Sequence, residues 1–120
     1  MKICIYVVCL LGMVVSPVFA GEVDVVKIDV HQESGGTYRF DVTLRHDDTG
    51  WKHYADRWEI LTPDGTVLAT RVLQHPHVHE QPFTRSLSGV AIGPDIKKVV
   101  IRGHDLVDGY GGRELTVSFR

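Results

Sequence analysis

The chain predicts an all-β sandwich, immunoglobulin-like or fibronectin type III-like, on three observations. No apolar period of 3.6 residues persists for ten residues. About seven short segments instead alternate apolar and polar side chains, the period of a half-buried antiparallel strand. Turn residues separate these segments at short intervals, as in two-sheet sandwiches.

The elements follow in order. Val23, Val25, Val26, Ile28 and Val30 mark a first strand over residues 22–31, with a slip of alternation at Val25-Val26 that reads as a bulge. Ser34-Gly35-Gly36 is a turn. Residues 37–45 alternate cleanly, with Tyr38, Phe40, Val42 and Leu44 on one face. A polar connection, 46–50, leads through the aromatic stretch 51–56 to a third strand at 57–62, where Trp58 and Ile60 point inward. Trp58 is the candidate inter-sheet core residue. Pro63-Asp64-Gly65 is a tight turn, Pro setting φ and Gly allowing φ > 0. Residues 66–73 return as the hairpin partner. Phe83 to Ile92 is a fifth strand with a mixed face of Phe83, Arg85 and Leu87. Residues 96–102 form a β-branched, central strand. A glycine-rich loop is expected over 103–112, and Leu115, Val117 and Phe119 define the last strand.

Residues 1–20 are expected to be a signal peptide rather than part of the fold. Lys2 precedes an apolar run at 3–15, and Val18 and Ala20 stand at −3 and −1 of a cleavage point before Gly21. The alternative is an uncleaved N-terminal anchor. Cys9 is a poor lipidation site, because Val7-Val8 precede it where small residues are needed. The mature chain, residues 21–120, is then one secreted or periplasmic domain of 100 residues with no second apolar segment to span a membrane. Without Lys2 it carries 12 basic and 15 acidic residues, a formal charge of −3. With no basic run, it is a poor partner for nucleic acid. Both cysteines and both methionines lie within residues 1–13, so the mature domain has no sulfur. Disulfides, thiolate catalysis and soft sulfur metal sites are excluded for it.

What remains for chemistry is seven histidines and the carboxylates. Gln74 to Pro82 contains His75, His77 and His79 at alternate positions, followed by Glu80. In an extended chain such residues share one side, about 6.5 Å apart. In the predicted topology, the second, fourth and sixth connections meet at one end of the sandwich. That end gathers His46, His53, His75, His77, His79 and His104, and leaves only His31 at the other. Neutral imidazole is a good ligand for Zn(II) and Cu(II). The expected site is therefore composite, centred on His75 and His77, with His79, His104, His46, His53 and Glu80 as further candidate ligands. Loop histidines that merely cap carbonyls or pair with acids are the bland alternative. The Asp-rich sixth connection lacks the spacing of a calcium-binding EF-hand loop.

The segments Trp51-Lys52-His53-Tyr54-Ala55-Asp56-Arg57-Trp58 and His75-Pro76-His77-Val78-His79-Glu80-Gln81-Pro82-Phe83-Thr84-Arg85-Ser86-Leu87 resemble a family of small uncharacterised secreted bacterial proteins. The resemblance runs from the second strand through His104-Asp105 to Gly109-Tyr110-Gly111-Gly112. It implies an envelope location and no particular activity. That family carries an acid where this chain has His79, which leaves His75 and His77 as the pair of interest. Known metal sandwiches fit less well. Periplasmic copper-resistance proteins and lytic polysaccharide monooxygenases use an N-terminal histidine, whereas Gly21 stands here. Superoxide reductases need a cysteine ligand, and the ligand pattern of copper–zinc superoxide dismutase is incomplete.

Two function classes lead: a non-catalytic metal-binding domain, and an interaction module that docks an envelope protein or a glycan through Trp51, Tyr54 and Tyr110. An enzyme ranks below both. No nucleophile, base and orienting group can be named, and Ser86 and Ser88 sit in a strand without an elbow motif.

Overall fold

The computed structural model describes residues 21–119, so the expected signal peptide lies outside the described residues. Seven strands form: β1 (Asp24–Gln32), β2 (Thr37–Arg45), β3 (Ala55–Leu61), β4 (Val67–Val72), β5 (Phe83–Ala91), β6 (Lys98–Asp105) and β7 (Leu115–Ser118). They make two antiparallel sheets, ordered β1-β2-β5 and β4-β3-β6-β7. The fold is a two-sheet β-sandwich, as the period of two predicts.

Alternation explains which sheet face is inside. Along β2, Phe40, Val42 and Leu44 are buried; along β6, Val99 and Ile101 are. Trp58 and Ile60 of β3 and Phe83 of β5 meet them in one apolar core with Val23 and Val25. The expected slip near Val25 is a register shift between Val25 and Lys27. The mixed face of β5 is its inward face: Phe83 is buried, and Arg85 and Leu87 are half-buried. The phase then changes at Gly89, whose φ of 72° suits a bulge residue and which returns Val90 to the core.

Two of the boundary differences bear on the site. β3 begins at Ala55 rather than residue 57, and β6 runs on to Asp105 where a glycine-rich loop was expected. The reason is pairing: β3 and β6 remain paired through Arg57 with His104 and, across a register shift, Ala55 with Asp105. Gly103 is not a turn residue there. It occupies an inward position where a Cβ would lie 2.3 Å from Val23 Cγ1, so its missing side chain lets β1 close on β6. That single continuation matters for function, because it carries Asp105 to the end of a core row.

On the outer face of the same sheet, Glu59 is nearly buried. It accepts hydrogen bonds from Arg57 Nε (3.0 Å), Arg102 Nε (2.9 Å) and Tyr110 Oη (2.9 Å). Burial by itself would raise its pKa. The hydrogen bonds from both guanidinium groups and the phenol outweigh that, and hold the carboxyl below its ordinary value.

Two predictions follow from this packing. Gly103→Ala overfills the β1–β6 contact and destabilises the domain by about 1–3 kcal/mol in urea unfolding. Glu59, with its folded pKa depressed, contributes stability above its unfolded pKa of about 4.3 that is lost as pH falls through the folded value. Glu59→Gln is thus expected to be less stable than wild type at pH 7, and the two melting curves should converge as pH drops below about 4.

Candidate metal centre

The two central core rows do not stop at apolar residues. Beyond Phe40, Val42 and Leu44, the inward positions continue as His46 and Asp48, both buried. Beyond Val99, Ile101 and Gly103 comes Asp105, with no exposed surface. Each sheet thereby delivers a polar side chain to the same end of the sandwich. His46 Nε2 lies 3.0 Å from Asp105 Oδ2 and 2.9 Å from the carbonyl oxygen of Gly21.

The partners of this pair fix its orientation. His46 Nδ1 is in a very short contact with Asp48 Oδ1. Asp48 Oδ1 also accepts the Ala55 N–H at 3.0 Å, and Asp48 Oδ2 accepts the His77 N–H at 2.6 Å. Asp105 Oδ1 accepts the N–H groups of Val107 (2.8 Å) and Asp108 (2.5 Å), which leaves Oδ2 facing His46. Burial opposes charge on all three groups. For His46, the Asp48 and Gly21 hydrogen bonds and the Asp48 charge prevail, and its pKa is raised. For Asp48 and Asp105, the His46 and backbone N–H hydrogen bonds prevail, and their pKa values are lowered. Without an ion, both ring nitrogens of His46 face acceptors, an arrangement that favours the protonated ring.

His53 joins from a tight turn in the second connection, where its N–H donates to Gly50 O at 3.2 Å. Its ring meets the His46 ring edge-on at 5.0 Å. Its Nε2 lies 3.5 Å from Asp105 Oδ2 and 3.3 Å from Asp108 Oδ2. This nitrogen is buried yet has no hydrogen-bond partner among the described residues. Ligand atoms of His46, His53 and Asp105 all lie within 4.8 Å of one another.

The spacing suits a cation. Two ligands each about 2.1 Å from one ion, at tetrahedral or octahedral angles, stand roughly 3.0–3.4 Å apart. Contacts of 2.9, 3.0, 3.5 and 3.3 Å link Gly21 O, His46 Nε2, Asp105 Oδ2, His53 Nε2 and Asp108 Oδ2 in turn. With Asp48 accepting the Nδ1 proton, the Nε2 lone pair of His46 is free for an ion. A carboxylate behind a ligating histidine is a recurrent support for metal sites. A Cβ on Gly21 would lie 1.8 Å from Asp108 Oδ2, so a larger residue there would displace the Asp108 carboxylate. This donor set of two imidazoles with carboxylates could hold a borderline divalent ion such as Zn(II).

The other candidates lie elsewhere. His75, His77, His79 and Glu80 line an open cleft of about 600 Å³ next to the cluster. Glu80 pairs with Arg85 at 3.1 Å. His104 alternates with Asp105 along β6 and points to the opposite face, where Nδ1 meets Asp56 Oδ1 at 2.6 Å and the ring touches Tyr110. His31 is remote, paired with Asp41. Asp48, Asp105, Asp108 and Gly21 were not singled out as ligands from the sequence. Their signal was present for Asp48 and Asp105: an acid at the next inward position of a strand has no reason to be there unless it is paired.

No protein-family model matches the chain, and no solved structure matches it. A protein of Halomicrobium mukohataei that bears the name "Putative lipoprotein" is 41% identical over 97 residues, covering 81% of this chain and 47% of that protein. The chain therefore spans about half the length of this curated relative. The likeness supports a family without assigned activity, and does not bear on the two segments that carried the resemblance.

Removing Asp105 takes away one of the two carboxylates against His46 and leaves the Val107 and Asp108 N–H groups without their acceptor. Asp105→Ala is expected to lower the stability of the chelator-treated protein by about 1–3 kcal/mol in denaturant unfolding. An unchanged unfolding midpoint would mean that these groups find other partners.

Proposed function

We propose that this chain is a non-catalytic envelope domain that binds one divalent transition-metal ion, Zn(II) or Cu(II), at the end of the sandwich. His46 Nε2, His53 Nε2 and Asp105 Oδ2 are the ligands, and Asp108 and the Gly21 carbonyl stand within reach of the same ion. The observation that carries this reading is the orphaned His53 Nε2, buried against Asp105 and Asp108 beside an imidazole whose far nitrogen is held by Asp48. A cation satisfies that nitrogen and offsets the carboxylate charge together. The apolar run at residues 3–15 and the relative's lipoprotein name support the envelope location. A carrier, buffer or sensor role needs only this binding.

One observation favours a second reading, an interaction module. Trp51 is 66% exposed and packs edge-on against Tyr54 at 5.7 Å, a platform suited to a glycan or an envelope protein. Chelators would leave such binding unchanged.

Equilibrium dialysis of the chelator-treated full chain against micromolar Zn(II), with elemental analysis, separates the two. One tightly held equivalent is expected that His53→Ala removes. His53 is partly exposed, so its loss should leave the fold intact. No stoichiometric uptake, or uptake indifferent to His53→Ala and Asp105→Asn, would sink the metal reading.

A further inference from the structure

The cleft beside the buried cluster holds a group that the site above does not use. The His77 side chain is 4% exposed. Neither of its ring nitrogens has a hydrogen-bond partner among the described residues. A buried imidazole in that condition has given up water for nothing, which is costly unless something else occupies its lone pair. The ring is also held still. It stacks on Phe83 with centroids 4.0 Å apart and planes 11° apart. Its backbone N–H donates to Asp48 Oδ2, and its carbonyl accepts from Gln81 Nε2 at 2.9 Å. Gln81 Oε1 in turn accepts the His46 N–H at 3.0 Å, so both sides of the loop are clipped to the domain.

His75 completes a pair. It is exposed at the cleft, and its ring centroid lies 4.8 Å from that of His77. An ion about 2.1 Å from an imidazole nitrogen sits roughly 3.2 Å from the ring centroid, so two rings on adjacent positions of one ion have centroids about 4.5–5.2 Å apart. The His75 Nδ1–H donates to the Pro76 carbonyl at 3.2 Å, which leaves Nε2 with the free lone pair. We infer that His75 and His77 form a second site at the cleft for a single transition-metal ion, separate from the buried cluster. Among divalent ions Cu(II) is the preferred occupant, because neutral imidazole donors follow the Irving–Williams order.

The surroundings agree. Burial holds His77 below its ordinary pKa, and Arg85 acts in the same direction, against the pull of Asp48 and Glu80. Arg85, the one cation lining the cleft, is tied to Glu80. His79 and Glu80 line the same opening. This inference does not depend on the buried site, since the two share no ligand.

The test is a Cu(II) titration of the chelator-treated full chain, read by dialysis stoichiometry and by the nitrogen splitting in electron paramagnetic resonance. The variants are His75→Ala, His77→Phe and His53→Ala, with His31→Ala as a control at a remote exposed histidine. His77→Phe keeps a ring over Phe83 and removes only the nitrogens. Expected are two Cu(II) equivalents in the wild type, of which both cleft variants lose one that His53→Ala and His31→Ala retain. Wild-type binding in both cleft variants would overturn the inference, as would loss of the same equivalent in His53→Ala or His31→Ala. If the buried reading alone fails, His53→Ala binds like wild type while the cleft variants still lose their equivalent.

Discussion

The burial of His46 between Asp48 and Asp105 is the interaction on which this end of the molecule depends. It joins the two sheets where the apolar core stops: His46 extends the inner row of β2, and Asp105 ends that of β6. Each carboxylate is in turn held by backbone N–H groups from another connection. Asp48 accepts from Ala55 and from His77, and Asp105 accepts from Val107 and Asp108. Three loops and the Gly21 carbonyl are thus ordered around one imidazole. A buried charge cluster of this kind seldom stabilises a protein more than a well-packed apolar plug would.

Asp48 also links the two halves of the pole. One oxygen orients His46, and the other fixes the backbone of His77. The histidine-rich loop is consequently positioned by the same carboxylate that orients the buried imidazole. Physical coupling between the cleft and the cluster is therefore short, one side chain long, although the two sets of ring nitrogens are distinct. The outer face of β3 and β6 is a different kind of polar surface. There Glu59, Arg57, Arg102 and Tyr110 satisfy one another, and His104 is spent on Asp56.

Much of this was legible in the chain and some was not. The alternation of Phe40, Val42 and Leu44 marks the inner face of β2 without ambiguity, and the bulge near Val25 shows as a slip of phase. The sequence reading centred the site on His75 and His77 because three alternating histidines stand out. It places Asp105 at the same pole, inside the glycine-rich loop expected over 103–112, and does not name it a ligand. Gly103 is instead the point where Val23 closes on β6. A glycine needed for close approach and a glycine needed for a turn are identical in one dimension. His104, by contrast, drew attention as a histidine, yet its parity on β6 turns it to the outer face.

By itself the sequence determined the fold class, the inner rows of the central strands and the gathering of histidines at one pole, because all three depend on local period and on the alternation of connections. Only the tertiary structure decided which of those side chains face one another. Whether His46 and Asp105 are the last inward residues of their strands depends on how far β3 and β6 stay paired, and that is a contact between segments some fifty residues apart. Donor atoms about 3 Å apart are drawn from the second and sixth connections and from Gly21, and their convergence is set by the packing of one sheet on the other.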